Sequence, residues 1–233
     1  MRIRWYGQSA FLLSGQQHRV FIDPFGDIAK ARPADTGWSW PFPLIEDVDA
    51  DVLLVTHDHL DHNGAEVVGG DPLVIATAGT HESPIGEVVG IASEHDAVAG
   101  TVRGPNTIFR FALDDTTFAH LGDFGQPALR PEQREALGDV DVLFLPVGGG
   151  PTIAANDAAA LVREVEPALI VAMHYRTPGG LAFLGPPDTF LDALGARVEQ
   201  LETSETDVEG LLGTRDEPVV ALLAPPIAAT ASS

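Results

Sequence analysis

The chain has no cysteine among its 233 residues. Disulfide bonds and thiolate metal sites are therefore excluded. Any metal ion has to be bound by imidazole nitrogen and carboxylate oxygen, a donor set that favours Zn, Mn, Fe or Ni over Cu(I) and iron–sulfur clusters.

Basic residues are also scarce. The sequence holds 13 Lys and Arg against 34 Asp and Glu, which gives a net charge of -21, and Lys30 is the only lysine. A chain this acidic repels polyphosphate backbones unless it carries a local basic groove, and the sequence contains no cluster of Lys or Arg. We therefore expect a small-molecule substrate rather than a nucleic acid.

Long apolar runs are missing as well. None approaches the roughly 18 residues that span a bilayer, so we expect no membrane insertion. The first residues carry no signal-peptide pattern, which predicts a cytoplasmic protein. Apolar residues make up 45% of the chain, enough to bury one sizeable core. We predict a single domain over residues 1–224 and a flexible tail over residues 225–233, which is small and polar.

Apolar segments separated by Gly, Pro and polar turns predict the order of strands and helices. Short strands open the chain, and β–α–β units follow in both halves. This order predicts an α/β (α+β) fold in which two sheets pack face to face with helices outside, a four-layer αββα sandwich. The predicted strands are 3–6, 10–13, 19–22, 51–55, 73–76, 107–113, 116–120, 142–145, 169–173 and 219–223; the predicted helices are 65–68, 131–138, 154–166 and 188–194.

Residues 27–47 form a long irregular segment that contains Trp38, Trp40 and several prolines. Such a loop in a compact domain is often a rim or lid over a site. The alternative, a surface loop held in place by its own tryptophans, is equally consistent with the sequence.

The strongest chemical signal follows the predicted strand 51–55. Four metal-ligating side chains lie within six residues there, and three of the eight histidines of the chain are among them. Their position at the carboxyl end of a strand is where α/β proteins place their sites. The alternative is a solvated polar loop. The motif reads Thr56-His57-Asp58-His59-Leu60-Asp61-His62.

Spacing divides this motif into two pairs. His57 and His59 are two residues apart in an extended turn and could point at one ion, whereas the adjacent Asp61 and His62 could turn toward a second. Further ligands should come from the ends of other strands, where His95, Asp123 and His174 are found. Each of these taken alone could be an ordinary strand-end residue, but with the motif present the ligand interpretation gains weight.

The sequence resembles the metallo-β-lactamase superfamily, whose mark is His-x-His-x-Asp-His followed by a distant His, a Gly-Asp and a final His. The order matches over nearly the whole chain. Within the superfamily, the stand-alone metal-dependent hydrolases similar to L-ascorbate-6-phosphate lactonase are the nearest branch. The supporting segments are residues 5–11, 22–25, 120–123, 145–149 and 173–177.

This resemblance implies a metallo-β-lactamase sandwich and two divalent metal ions, with zinc first among the metals. By the family pattern, the first ion would be bound by His57, His59 and His95, and the second by Asp61, His62 and His174. Asp123 would bridge the two. Assembly into homo-oligomers would be usual for the branch.

Three more polar residues have candidate roles. Asp23 resembles the aspartate that orients a ligand histidine through its far ring nitrogen, although an Asp-Pro turn is the alternative. His120 is a candidate catalytic or substrate-contacting residue, or an ordinary strand-end histidine. Arg176 could bind a substrate phosphate or carboxylate with its planar fork of donors, or form a surface ion pair.

The implied mechanism is hydrolysis by a hydroxide that two divalent ions generate from a shared water. Asp61 would bind one ion and accept a hydrogen bond from that nucleophile, which makes it a catalytic candidate. The leading function is hydrolysis of a small ester, lactone or sugar-phosphate lactone. The first rival is a phosphodiesterase acting on a cyclic nucleotide or phospholipid-like substrate, and a metal-binding protein without turnover is the alternative from another class.

Overall fold

A computed structural model describes residues 1–31 and 40–226. The middle of the predicted rim loop and residues 227–233 of the predicted tail lie outside this range. Pro225 and Pro226, where that tail begins, line a small cavity together with Phe42 and Pro178. Among the described residues no helix is both long and apolar enough to cross a membrane.

The first sheet has six strands in the order β15-β1-β2-β3-β5-β7. The opening strands pair antiparallel, and the last three run parallel. This confirms the three predicted opening strands to within a residue or two at each end. The bounds are β1 Arg2–Gly7, β2 Ala10–Ser14, β3 Arg19–Ile22, β5 Val52–Leu54, β7 Leu73–Ile75 and β15 Glu205–Asp207; a separate pair consists of β4 Val48–Asp49 and β6 Val68–Gly69.

The second sheet has eight strands in the order β14-β16-β13-β12-β11-β10-β9-β8. Strands β8 to β11 form an antiparallel meander, and β11, β12, β13, β16 and β14 run parallel. The bounds are β8 Gly79–Ser83, β9 Gly86–Glu94, β10 Pro105–Leu113, β11 Thr116–His120, β12 Val142–Pro146, β13 Leu169–Met173, β14 Arg197–Gln200 and β16 Val219–Leu222.

The two sheets pack face to face around one apolar core. Phe11 of the first sheet meets Phe144 of the second with ring centroids 4.7 Å apart, and both are fully buried. Aromatic pairs at this spacing add to the free energy that burial of their area contributes. The core therefore fixes the relative position of the two sheets, and with it the loops at their strand ends.

Helices cover the outer face of the second sheet. Helix α3 presents Ala158, Leu161, Val162 and Val165 to the core, and the repeat of three to four residues is that of an amphipathic helix. Three of the four predicted helices are confirmed within one residue at each end, and the fourth, predicted at 65–68, is a 3-10 turn at Ala65–Val67. The bounds are α2 Pro131–Leu137, α3 Ala155–Val165 and α4 Asp188–Leu194.

The outer face of the first sheet is covered mainly by irregular chain. The described helical pieces there are α1 Ile28–Ala31 and a 3-10 turn at Ala65–Val67. Phe25 and Phe42 belong to the same buried apolar cluster as Phe21 of this sheet and contact each other. The αββα architecture predicted from the sequence is therefore present, with one thin outer layer in the described part of the chain.

Candidate metal centre

Side chains from the turns that follow four strands meet at one edge of the two sheets. The turn after β5 carries the His57 motif, and the turn after β11 carries Asp123. His95 follows β9, and His174 follows β13. All seven ligands predicted from the sequence are brought together, although they are spread over more than a hundred residues of chain.

His57, His59 and His95 form a first group whose candidate ligand atoms all lie within 4.8 Å of one another. Nε2 of His57 lies 3.0 Å from Nδ1 of His59. The rings of His57 and His95 are 4.9 Å apart between centroids. This is the set that the family resemblance assigns to the first ion.

Asp61, His62 and His174 form a second group within the same 4.8 Å limit. Asp123 lies between the groups. Its Oδ1 is 3.3 Å from Nε2 of His62, and its Oδ2 is 3.1 Å from Nε2 of His95 and 3.2 Å from Nε2 of His174. One carboxylate therefore faces histidines of both groups, as a bridging ligand would.

Asp23 fixes the orientation of two of the histidines. Its carboxylate accepts hydrogen bonds from the backbone N–H of Thr56 at 2.8 Å, from the Thr56 hydroxyl at 2.7 Å and from Nδ1–H of His62 at 2.8 Å. Because the Thr56 hydroxyl gives its proton to Asp23, its oxygen accepts from Nδ1–H of His57 at 3.0 Å. An ionised carboxylate only accepts, so both imidazoles, when neutral, present a bare Nε2 to the cluster.

The pKa shifts of the clustered histidines and of Asp123 indicate a site that a cation would stabilise. Burial lowers the pKa of His57 and of His59, which keeps these imidazoles neutral and able to act as ligands. Burial would also lower the pKa of His62, but the carboxylates of Asp123, Asp61 and Asp23 raise it well above its usual value. Burial would raise the pKa of Asp123, but His174 and His62 hold it well below its usual range.

A divalent cation fits this donor set. Nε2 of His62 is buried, faces the carboxylate of Asp123 and has no hydrogen-bond partner within the described part of the chain. Without a metal, a proton has to occupy that position; with a metal, the lone pair becomes a ligand. Five imidazoles and two carboxylates are the ligand types that Zn, Mn, Fe and Ni accept in proteins.

Two glycines and an asparagine shape the centre, and of these only Asn106 was not singled out in the sequence. A side chain at Gly122 would place Cβ 2.4 Å from Oδ1 of Asn106, which accepts the backbone N–H of Asp123 at 3.1 Å. A side chain at Gly148 would place Cβ 2.4 Å from the carbonyl oxygen of His174. The Gly-Asp pair was visible in the sequence, but Asn106 gives no local signal because its partners are distant in the chain.

The hydrogen bonds of His120 argue against the catalytic role considered from the sequence. Its ring is fully buried, Nδ1 accepts the backbone N–H of Gly122 at 3.1 Å, and Nε2–H donates to the carbonyl of Ser9 at 3.0 Å. Both ring nitrogens are thus committed to backbone groups. We infer that His120 ties β11 to the turn after β1.

Replacing His120 by glutamine should weaken the pH dependence of stability and leave turnover nearly intact. Burial lowers the pKa of His120 to about 4 from its ordinary 6.5. The unfolded chain therefore binds more protons between those values, and wild-type stability falls as the pH drops through this window. One pKa unit is worth 1.36 kcal/mol, so the loss is about 3 kcal/mol by pH 4.

Urea unfolding of metal-free wild type and His120→Gln from about pH 7.5 to about pH 4 measures this difference. In the variant, the free energy of unfolding should fall less steeply between pH 6.5 and about pH 4, because the contribution of His120 to its pH dependence is gone. A general acid or base contributes about 10²- to 10⁴-fold to rate. A loss of that size in the variant, with fold and metal content intact, would restore the catalytic assignment.

A cavity of about 390 Å³ opens beside the cluster at His59 and Asp61, and Trp40 forms part of its wall. Trp40 also packs edge to face on Phe25 and Phe42. The described end of the predicted rim loop thus borders the cavity and is held by its own aromatic contacts.

Arg176 is exposed and is not among the described residues that line this cavity. The structure therefore gives no support to the substrate contact considered from the sequence.

A larger cavity of about 800 Å³ is lined by Arg163, Arg197 and Arg215, among others, and includes none of the predicted metal ligands.

Comparison with known proteins agrees with this geometry. The family model described as "Beta-lactamase superfamily domain" matches residues 2–174. The chain belongs to this superfamily. The family of its curated relatives is that of the metal-dependent hydrolases.

Several curated relatives carry the name UPF0173 metal-dependent hydrolase, and two of them serve as examples. The protein from Pyrobaculum islandicum is 30% identical over 201 residues, covering 76% of this chain and 85% of its own. The protein from Thermococcus kodakarensis is 28% identical over 229 residues, covering 85% and 94%. A crystal structure from Thermotoga maritima, described as a proposed zinc-dependent hydrolase of the metallo-β-lactamase superfamily, is 27% identical with a TM-score of 0.72, covering 94% of this chain and 97% of that one.

Proposed function

We propose that the protein hydrolyses a small ester or lactone at a centre of two divalent ions, with zinc the first candidate and Mn, Fe and Ni the others. The observation that carries this proposal is the gathering of seven ligand residues in two groups joined by Asp123. The cluster borders an open cavity at His59 and Asp61, so a substrate can reach it.

Bound divalent ions would supply a Lewis acid for the substrate carbonyl and lower the pKa of a water molecule. The protein's own residues divide the remaining work. Asp61, with 28% of its side chain exposed, borders both the ligand cluster and the cavity, so its carboxylate can accept a hydrogen bond from the attacking water. Asp123 and Asp23 are buried and keep the histidines in place.

A phosphodiester is the rival substrate. The proposed ions could bind its phosphate group, but the carboxylate of Asp58 would repel it, and no Lys or Arg is found among the described residues that line the cavity. An uncharged ester or lactone avoids this repulsion, which is why it is the preferred proposal.

The test uses protein stripped with a chelator and reloaded separately with Zn, Mn, Fe(II) or Ni. A simple γ-lactone and an activated phosphodiester are assayed in parallel. We expect lactone opening by at least one reloaded form, and none by stripped protein or by His59→Ala. His81→Ala is the matched control, because His81 lies on the exposed edge strand β8 and bonds the carbonyl of Thr77.

Phosphodiester cleavage alone would replace the proposed substrate class with its rival. Silence on both substrates with two ions bound would support the non-catalytic metal-binding alternative. Lactone opening by His59→Ala at the wild-type rate would contradict the placement of the chemistry in this cluster.

A further inference from the structure

The cavity beside the metal ligands is walled mostly by apolar side chains. Ile28, Trp40, Leu60, Leu181 and Phe183 supply them, from four separate parts of the chain. Its volume of about 390 Å³ lies in the range of small-molecule sites. Such convergence in space is not a consequence of any local sequence pattern.

Two of these side chains are exposed to a degree that calls for an explanation. Leu60 is 62% exposed and Phe183 is 53% exposed. Single exposed apolar residues are ordinary, but apolar residues grouped around a cleft mark a binding surface. Leu60 lies between the ligands His59 and Asp61 in sequence, so this apolar surface is continuous with the metal centre.

No cationic side chain is found among the described residues that line the cavity. The charged groups among its described lining residues are the carboxylates of Asp58 and Asp61, and the chain as a whole carries a net charge of -21. Apart from the proposed metal ions, an anionic group on the substrate would therefore meet no cationic partner at this wall, and the negative charge of the chain disfavours its approach.

We propose that this cavity binds an alkyl or aryl group of an uncharged ester or lactone, next to the bond that is hydrolysed. This inference rests on the proposed function and narrows its substrate class. It disfavours the sugar-phosphate lactone that the branch resemblance implied, because a phosphorylated sugar is polar and anionic.

The reaction remains a simple hydrolysis. Water oxygen bonds to the carbonyl carbon, the carbonyl carbon–ring oxygen bond breaks, and the released alkoxide takes the proton that the attacking water gives up. The product of an alkyl-substituted lactone is a hydroxy acid whose apolar chain is unchanged. Recognition of that chain therefore affects binding of substrate and product without entering the chemical step.

The experiment compares γ-lactones that carry a methyl, butyl or hexyl group on the carbon next to the carbonyl. A fourth γ-lactone carries at the same position a chain of the hexyl length that ends in a carboxylate. Turnover by metal-loaded protein gives kcat/KM for each. Titration calorimetry with the matching 2-alkylcyclopentanones, which lack the hydrolysable ring oxygen, gives Kd independently of turnover. Each buried methylene contributes about 0.8 kcal/mol, so we expect about fourfold tighter binding per methylene, or about fifteenfold from butyl to hexyl.

Leu60→Ala and Phe183→Ala should each weaken binding of the hexyl ketone by roughly threefold to tenfold and change methyl binding by less than about twofold. Both residues are exposed, so neither change should disturb the fold. Leu73→Ala is the matched control, because Leu73 is 42% exposed on β7 and does not line the cavity. Its binding of every ketone should equal that of the wild type.

The outcomes separate the two proposals. Affinity that does not change with chain length, or a carboxylate-ended chain preferred over the methyl-ended one, overturns the apolar-site inference even if lactones are turned over. Chain-length-dependent ketone binding that Leu60→Ala and Phe183→Ala weaken supports the inference, and if no ester or lactone is then hydrolysed, the proposed function alone has failed.

Discussion

Replacing Asp123 by alanine should abolish turnover and prevent the binding of a full complement of metal. The Asp123 carboxylate is buried and faces His62, His95 and His174 at 3.1 to 3.3 Å. Without this carboxylate, no described side chain joins the two sets of metal ligands. We expect kcat to fall by more than about a thousandfold, equivalent to about 4 kcal/mol of transition-state stabilisation.

Turnover and metal content are measured on the same preparation, with circular dichroism to show that the chain is folded. Asp141→Ala is the matched control. The Asp141 carboxylate accepts the backbone N–H of Thr117 and is not part of the cluster, so this variant should lose stability and keep its metal. Undiminished turnover in Asp123→Ala would contradict the two-ion account.

Replacing Asp23 by alanine should lower both stability and metal affinity. Three donors lose their shared acceptor: the backbone N–H and hydroxyl of Thr56 and Nδ1–H of His62. A buried donor left without a partner costs about 1 to 3 kcal/mol, so we expect the free energy of unfolding to fall by about 3 to 5 kcal/mol. Loss of the group that orients a ligand typically weakens metal binding by about 10- to 100-fold.

Asp23→Asn and Thr56→Val separate the contributions to this network. The asparagine keeps one acceptor oxygen and should lie between wild type and alanine in metal affinity. The valine removes only the hydroxyl that orients His57, so it should affect metal binding less than Asp23→Ala. Equal metal affinity in wild type and Asp23→Ala, determined by competition with a chelating dye, would show that Asp23 is a structural turn residue only.

The parts of the fold that could be predicted are those whose pattern is local. Strand β13 is an unbroken apolar run, and α2 carries Pro131 at its start and Gly138 just past its end. The prediction missed β4, β6, β8, β9, β14 and β15; of these, β8 and β14 are polar, largely exposed edge strands of the second sheet. Strand β14 pairs with the distant β16, Arg197 opposite Val219, whereas β8 and β9 form a local hairpin with Ser83 opposite Gly86, so the polarity of β8 and not the distance of its partner explains why it was missed.

At the metal centre, too, the local pattern could be predicted and the contacts between distant residues could not. His57, His59, Asp61 and His62 lie within six residues, so their chemistry could be read from the sequence. The relay from Asp23 through the Thr56 hydroxyl could not, because it depends on distances between side chains of two parallel strand ends.

The residues whose role depends on their surroundings could not be assigned from the sequence. The sequence left His120 open between a catalytic or substrate-contacting residue and an ordinary strand-end histidine, and its two backbone hydrogen bonds favour the second. The apolar cavity was not predicted, since Ile28 and Phe183 have no relation in the sequence that would place them beside His59.

Anomalous diffraction from crystals of zinc-loaded protein tests the central claim most directly. The account predicts two zinc peaks about 3.5–4 Å apart. One should lie among His57, His59 and His95, the other among Asp61, His62 and His174, with the Asp123 carboxylate between them. A single peak, or zinc bound only outside this cluster, would contradict the two-ion centre.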